Sequence, residues 1–458
     1  MKVFFSLLVS LTLTCTQSFA SNAVVPSDTV TSLIDKAGAL KMMEDGKKLF
    51  DTGKFKDAIT KFREASIRDP RNATSFHYIA KCHFQIKNYG LALNYALRSN
   101  KINATDGENL FLLGEAYTRT NNLDSAFQYM ELAEMNLSKS RIKDLQIALL
   151  KESIAHTQEL LKTNGPNLRK PIEAMSISIE AINTPFNEYG FIQHGGTAYF
   201  TGRRNNTVGG GVGPSDQEYF EDIYSAKWNA NNHHWDSITN KIDRINSVGY
   251  DAVTHISADG LTIYLTVNTD GLNLKTSTGS SDLYFAEFTK KGKWTNPKAV
   301  KGTSLNTSYS ESGATITADG NTMYFVTDRK GDKSGTDIYV SQKVGKTWGA
   351  PKSVSDSINT MGRETTPFIS ADGRYLFFSS DGFKGMGGYD VYVSENLGKT
   401  WSKPRNLGTS VNTTNDDTHF RYDEKTKQAT LSGIELLEGK GTIDIFTIDL
   451  STKDILKK

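Results

Sequence analysis

The chain has 458 residues, with 53 basic and 51 acidic side chains and a formal net charge of +2. That length suits two or three domains, and the near-neutral balance argues against a nucleic-acid binder, which usually carries a basic patch or stripe. Apolar residues at 37% and charged residues at 23% describe a soluble globular protein. Outside the N-terminus no apolar run reaches the roughly 20 residues of a membrane span.

The N-terminus reads as a targeting segment. Lys2 supplies a positive charge, Phe4 to Leu13 form an apolar stretch, and Ser18-Phe19-Ala20 fits a small-x-small cleavage site. Residues 1–20 are then a signal peptide, followed by an extension over 21–39. The rival reading is a lipoprotein signal ending at Cys15, which Thr14 suits poorly. Either way the protein is expected to leave the cytoplasm. Of the two cysteines, only Cys82 would stay in the mature chain, which excludes an intramolecular disulfide there and disfavours structural zinc. No cofactor is expected.

From residue 40 to 163 the apolar residues follow a helical period. Gly46, Ala80 and Gly114 recur at a 34-residue step, as do Ala58, Ala92 and Ala126. Phe55, Tyr89 and Leu123 each follow a short polar turn. Small residues at these points let antiparallel helices approach closely, and the bulky residue locks each hairpin. A helix-turn-helix of this period resembles the tetratricopeptide repeat. Three repeats agree in register, and a further helix over about Lys139 to Lys162 is expected to cap the stack. Stacked repeats form a concave groove that accepts a peptide or partner protein. His77, Lys81, Phe84, Phe111, Glu115 and Thr118 are the residues expected either to face it or to fill the inter-repeat core. His77 and His83 have no carboxylate or thiol pairing that would make them metal ligands.

Asn164-Gly165-Pro166 breaks the last helix and opens a linker over 164–171. Strand period then takes over from residue 172 to 452, leaving a short tail over 453–458. One tripeptide recurs five times: Asp222-Ile223-Tyr224, Asp282-Leu283-Tyr284, Asp337-Ile338-Tyr339, Asp390-Val391-Tyr392 and Asp444-Ile445-Phe446. The steps are 60, 55, 53 and 54 residues, so one small sheet is copied five times, as in a β-propeller. Ser257-Ala258-Asp259-Gly260, Thr317-Ala318-Asp319-Gly320 and Ser370-Ala371-Asp372-Gly373 are hairpin turns, because Asp-Gly supplies the positive φ such turns need. They lack the oxygen-rich spacing of calcium loops. The Gly209-Gly210-Gly211-Val212-Gly213 run is a flexible loop rather than a phosphate cradle, lacking a following Lys-Ser/Thr.

An apolar-Asn pair closes each of the first four copies, at Ile245-Asn246, Leu305-Asn306, Ile358-Asn359 and Val411-Asn412. A fifth pair, Ile182-Asn183, precedes the first copy, while the last copy ends without one. The segment Ser176 to Asn183 should therefore complete the last blade, giving five blades and removing two open edges. A sixth blade fits only if the long first repeat hides one. Glu188, Asp251, Glu311, Glu364 and Asp417 sit just before the first strand of each blade and are expected at one mouth of the central channel. They form either a cation or basic-peptide site, or caps on backbone amides. The regular repeat favours caps.

These repeats resemble the WD-like propeller of the TolB type. The order signal peptide, tetratricopeptide repeats, propeller is similar to a group of envelope proteins in Bacteroidetes, some of which serve type IX secretion and gliding. That resemblance implies a non-catalytic scaffold, periplasmic and near the outer membrane, whose partners are other envelope or secretion-machinery proteins. Its best-known members carry an outer-membrane-protein-A-like domain that binds peptidoglycan. This sequence ends at Lys458 directly after the last blade, so direct wall anchoring is not expected. The alternative is a glycan-binding or glycan-hydrolysing propeller with a helical targeting module. Ser394 to Trp401 resembles the sialidase Asp-box, but that box is structural. The chemistry also needs an Arg cluster, for which Arg203, Arg204, Arg363 and Arg421 are the available residues, and no Phe-Arg-Ile-Pro-like segment precedes the propeller.

Overall fold

The structure is a computed structural model that describes residues 32–164, 170–171, 182–213, 216–268, 280–329, 335–434, 443–452 and 455–456. The signal-peptide reading lies outside these residues. Among them no helix is long and apolar enough to cross a membrane.

Eight helices come first: α1 (Leu33–Asp51), α2 (Phe55–Arg68), α3 (Ala73–Gln85), α4 (Tyr89–Ile102), α5 (Gly107–Arg119), α6 (Leu123–Asn136), α7 (Lys139–Asp144) and α8 (Ile147–Asn164). Short polar side chains start most of them. Ser32, Asn72, Asn88, Asp106, Asn122 and Ser138 each accept a hydrogen bond from a backbone N–H of the first turn, satisfying donors that the helix leaves open. The 34-residue period is visible in the backbone itself. Gly53, Lys87 and Asn121 have φ of +77°, +60° and +59°. The residue after each donates its N–H back into the preceding helix, to Leu49, His83 and Tyr117, at 3.0, 2.8 and 2.9 Å. Ala58, Ala92 and Ala126 have no exposed surface, so paired helices meet there backbone to backbone. At Gly46 an added Cβ would stand 2.6 Å from the Phe62 ring. Burying a phenylalanine such as Phe62 is worth about 1.5–3 kcal/mol. The small residue is thus the complement of the large one.

Five antiparallel sheets follow in a five-bladed propeller. Their innermost strands are Glu188–His194, Tyr250–Ile256, Glu311–Ile316, Glu364–Ile369 and Asp417–Asp423. Their third strands carry the recurring tripeptide at their start or one residue in, at Asp222–Asn229, Ser281–Glu287, Asp337–Val344, Asp390–Glu395 and Ile443–Asp449. The Asp-Gly turns take the expected shape. Gly260, Gly320 and Gly373 have φ of +72°, +71° and +71°, and Asp372 Oδ1 accepts from Ser370 Oγ at 2.6 Å and from Arg374 N at 2.9 Å.

The fourth strand of most blades is only two residues long, such as Lys298–Ala299 or Arg405–Asn406. The asparagine of each apolar-Asn pair extends it. Asn246 Oδ1 accepts from Ile223 N at 2.8 Å and Asn246 Nδ2 donates to Ile223 O at 2.9 Å. Asn306 brackets Leu283, Asn359 brackets Ile338 and Asn412 brackets Val391 in the same way. The apolar partner beside each asparagine is buried to 1% exposure or less.

The last blade takes its fourth strand from the other end of the domain. Lys170–Pro171 pairs antiparallel with Phe446–Thr447, and Asn183 brackets Ile445 with two bonds of 2.9 Å. Residues 176–181 of the expected closing segment lie outside the described residues. The paired strand falls at Lys170–Pro171, within the stretch read from sequence as linker. Closure predicts a specific sensitivity. Asn183→Ala should cost about 1–3 kcal/mol by leaving the Ile445 amide and carbonyl without partners, read as a lower denaturation midpoint. Deletion through Asn183 should lower it further than deletion through Gly165.

Candidate functional site: groove, domain junction and channel

Along α1, α3 and α5 the groove positions repeat: Lys47 and Phe50, Lys81 and Phe84, Glu115 and Thr118. Lys81 Nζ stands over the Phe50 and Tyr78 rings at 5.0 and 5.3 Å, and Lys47 Nζ over Tyr78 at 5.2 Å. Phe84 meets the Tyr89 ring edge-on at 5.1 Å. Thr118 Oγ1 donates to the Gly114 carbonyl of its own helix at 2.9 Å. His77 is buried against the next repeat, with Nδ1 3.2 Å from Asn109 Oδ1, and burial pushes its pKa down. Phe111 packs beside Leu110, Met130 and Ile147 of the inter-helix core. His77 is thus part of the packing, while Lys81, Phe84 and Phe111 are half-buried, and Phe84 packs against the cluster around Ala80 and Leu113 as Phe111 does against its own.

Glu115 belongs to a junction that sequence reading did not anticipate. Its carboxyl is pushed up by burial, and Arg119 opposes that shift. Arg119, at the end of α5, and Lys87, in the positive-φ turn after α3, both reach the propeller. Lys87 Nζ lies 2.8 Å from Asp416 Oδ2 and Arg119 Nη1 3.3 Å from Asp416 Oδ1. Burial alone would raise the Asp416 carboxyl, but Arg119 and Lys87 outweigh it and hold it well below the usual carboxylate range. A glycine-rich loop of the fourth blade makes room. At Gly388 a Cβ would stand 2.3 Å from Arg119 Nη1. The neighbouring Met386 is buried against α8, where its carbonyl faces Thr157 Oγ1, and the Gly385 N–H donates to Ser153 Oγ at 3.3 Å. A second contact joins α2 to the first blade, through Lys56 to Glu218 at 2.7 Å. The Lys-Gly-Met-Gly-Gly run at 384–388 was the available signal, since paired glycines mark a close approach. Its partner could not be read from it.

The five acids, expected just before the inner strands, are instead the first or second residue of each and have no exposed surface. Each bonds to the residue four positions earlier. Glu188 accepts from Thr184 N and Oγ1, Glu311 from Thr307, and Glu364 from Thr360, all at 2.6–2.9 Å. Asp251 and Asp417 bind Ser247 and Thr413 likewise. Arg204 and Arg329 add ion pairs to Glu188 and Glu311. These carboxylates therefore staple the loops that enter each blade. Asp251, Glu364 and Asp417 also lie near the acid of the preceding blade's tripeptide, Asp222, Asp337 and Asp390 in turn. Burial and the proximity of Asp417 push Asp390 up to about 8, and burial with Asp222 and Glu221 pushes Asp251 to about 7.

No protein-family model matches this chain, and no curated protein matches it. Among solved structures it is similar to the type III secretion chaperone SycD of Yersinia enterocolitica in complex with a peptide of the translocator YopD, at 18% identity, covering 28% of this chain and 99% of that one, with a TM-score of 0.26. It is also similar to the second TPR of Spaghetti (RPAP3) bound to an HSP90 peptide, at 21% identity, covering 23% of this chain and 96% of that one, with a TM-score of 0.22. Scores this low add nothing to what the coordinates show directly. The chain is a tetratricopeptide-type helical array followed by a five-bladed β-propeller.

Two measurements test this region. Asp416→Asn leaves two cations facing a neutral amide and should cost about 2 kcal/mol, below the figure for fully buried pairs because all three groups are partly exposed. The same change should raise the radius of gyration as the domains part. Asp390→Asn should remove a pH dependence. The native carboxyl holds its proton up to about 8, whereas an unfolded Asp loses it near 4. Its protonation therefore stabilises the fold fully below about 4 and not above about 8. Relative to wild type, the variant should gain stability as pH rises across that window. A constant difference in midpoint from pH 4 to 9 would refute the assignment.

Proposed function

We propose that this protein is an exported, non-catalytic interaction scaffold of the bacterial cell envelope. Helical arrays and propellers are interaction folds, and here they are locked together. The helical groove holds a segment of a partner protein, and the propeller fixes the groove's orientation. The cluster of Lys47, Phe50, Tyr78 and Lys81 carries this reading. Two repeats present cations against partly exposed aromatic faces, an arrangement that offers charge and apolar area together to an extended segment. The N-terminal targeting pattern supports export, and the resemblance to Bacteroidetes envelope proteins favours other secretion or gliding components as partners.

A photo-crosslinking residue placed at Lys47 should capture a partner in the native envelope. The same residue at Ile67, exposed on α2, should not. Capture at Ile67 alone would place the partner elsewhere and remove the groove from the reading. Lys81→Glu should weaken the Lys47 crosslink without lowering thermal stability.

A further inference from the structure

The inner strand of every blade breaks register at the same height, between Tyr189 and Ile192, Val253 and His255, Ser312 and Thr315, Thr365 and Phe368, and Thr418 and Arg421. These bulges surround a cavity of about 220 Å³ on the propeller axis, lined by Tyr189, Thr254, Gly313, Thr366 and Arg421 from the five blades in turn. That is larger than the roughly 30 Å³ of one water and smaller than the 300–1,000 Å³ typical of drug-sized pockets. Glu221 is the one carboxylate among the described lining residues.

Arg421 is the unusual group. Arg203, Arg204 and Arg363 each pair with a carboxylate. Arg421 has no such pair among the described residues. Its guanidinium stands over the Phe368 ring at 5.4 Å, and Nη2 donates across the channel to the Thr254 carbonyl. Nε is buried without a hydrogen-bond partner among the described residues. Burial pushes its pKa down to about 10, with no acid opposing the shift. The charge of Glu221 acts on the Tyr189 phenol and Arg203 instead. His255 and His419 are pushed to about 3 by burial and by Arg421, so both are neutral at pH 7 and leave the guanidinium uncompensated. A buried cation without a partner is costly.

We propose that the propeller channel binds a small carboxylate, gripped by the Nε–Nη2 edge of Arg421. That edge suits a carboxylate held by two parallel hydrogen bonds. One guanidinium balances a monoanion, and a dianionic phosphate would be left in excess of negative charge beside Glu221. Entry is from the domain junction. A second cavity, lined by Lys87, Tyr389 and Asp416, shares Thr365, Thr366 and His419 with the first. Lys87 stands at this entry.

Saturation-transfer NMR on the full chain tests the site with acetate, tetra-alanine and tetra-alanine amide as probes. Acetate should receive transfer, and Arg421→Gln should weaken its binding about tenfold or more, as expected for losing hydrogen bonds to a charged group. Transfer to acetate alone assigns a free small molecule. Transfer also to tetra-alanine but not to its amide assigns a chain terminus. Ala252→Phe, which fills the cavity and leaves Arg421 in place, should abolish transfer and keeps the test decisive if Arg421→Gln does not fold. Absence of transfer to both acids, transfer that survives Ala252→Phe, or acetate binding that is unchanged in Arg421→Gln would overturn the proposal.

Discussion

Each blade depends on one side-chain amide. An asparagine carries a carbonyl and an N–H₂ group in the same relation as a peptide unit, so it can pair with a strand as a further residue of sheet would. Here it brackets the middle residue of the Asp-Ile-Tyr tripeptide, five times over. Outside the first blade the fourth strands are only two residues long, too short to hold the blade edge by backbone pairing alone. The asparagine completes the edge, and its apolar neighbour fills the space between blades. Because the fifth asparagine comes from residue 183 and its strand from residue 445, the same bond that finishes a blade also joins the two ends of the domain.

The buried acids follow from that construction. A loop that must turn into an inner strand leaves amides with no sheet partner, and the carboxylate four residues on satisfies them. The cost is a ring of like charges brought close to the tripeptide acids of neighbouring blades. Arg204 and Arg329 neutralise two of the five. Asp390 and Asp251 are instead pushed toward their protonated forms. The blades thus use one geometry and more than one electrostatic solution.

The domain junction works by a different economy of contacts. Lys87 occupies a left-handed backbone position that glycine takes in the first repeat and asparagine in the third, and this turn carries its ammonium group to Asp416. Arg119 reaches the same carboxylate across a glycine. These contacts fix the helical array against the loop that enters the last blade.

The repeat periods, the small residues that let helices meet, the Asp-Gly turns and the closing asparagine were all legible in the sequence. Each is a local or periodic requirement: a positive φ, a missing Cβ, a fixed step. Tertiary structure alone decided that His77 is buried against Asn109 of the next repeat, because facing and filling positions differ by a small rotation of one helix against the next. It alone brought Asp416 to Lys87 and Arg119, residues some 300 positions apart. It also singled out Arg421 among four arginines that look alike in sequence. Whether a guanidinium has a counter-ion depends on which blade faces it across the axis, and periodicity carries no information about that.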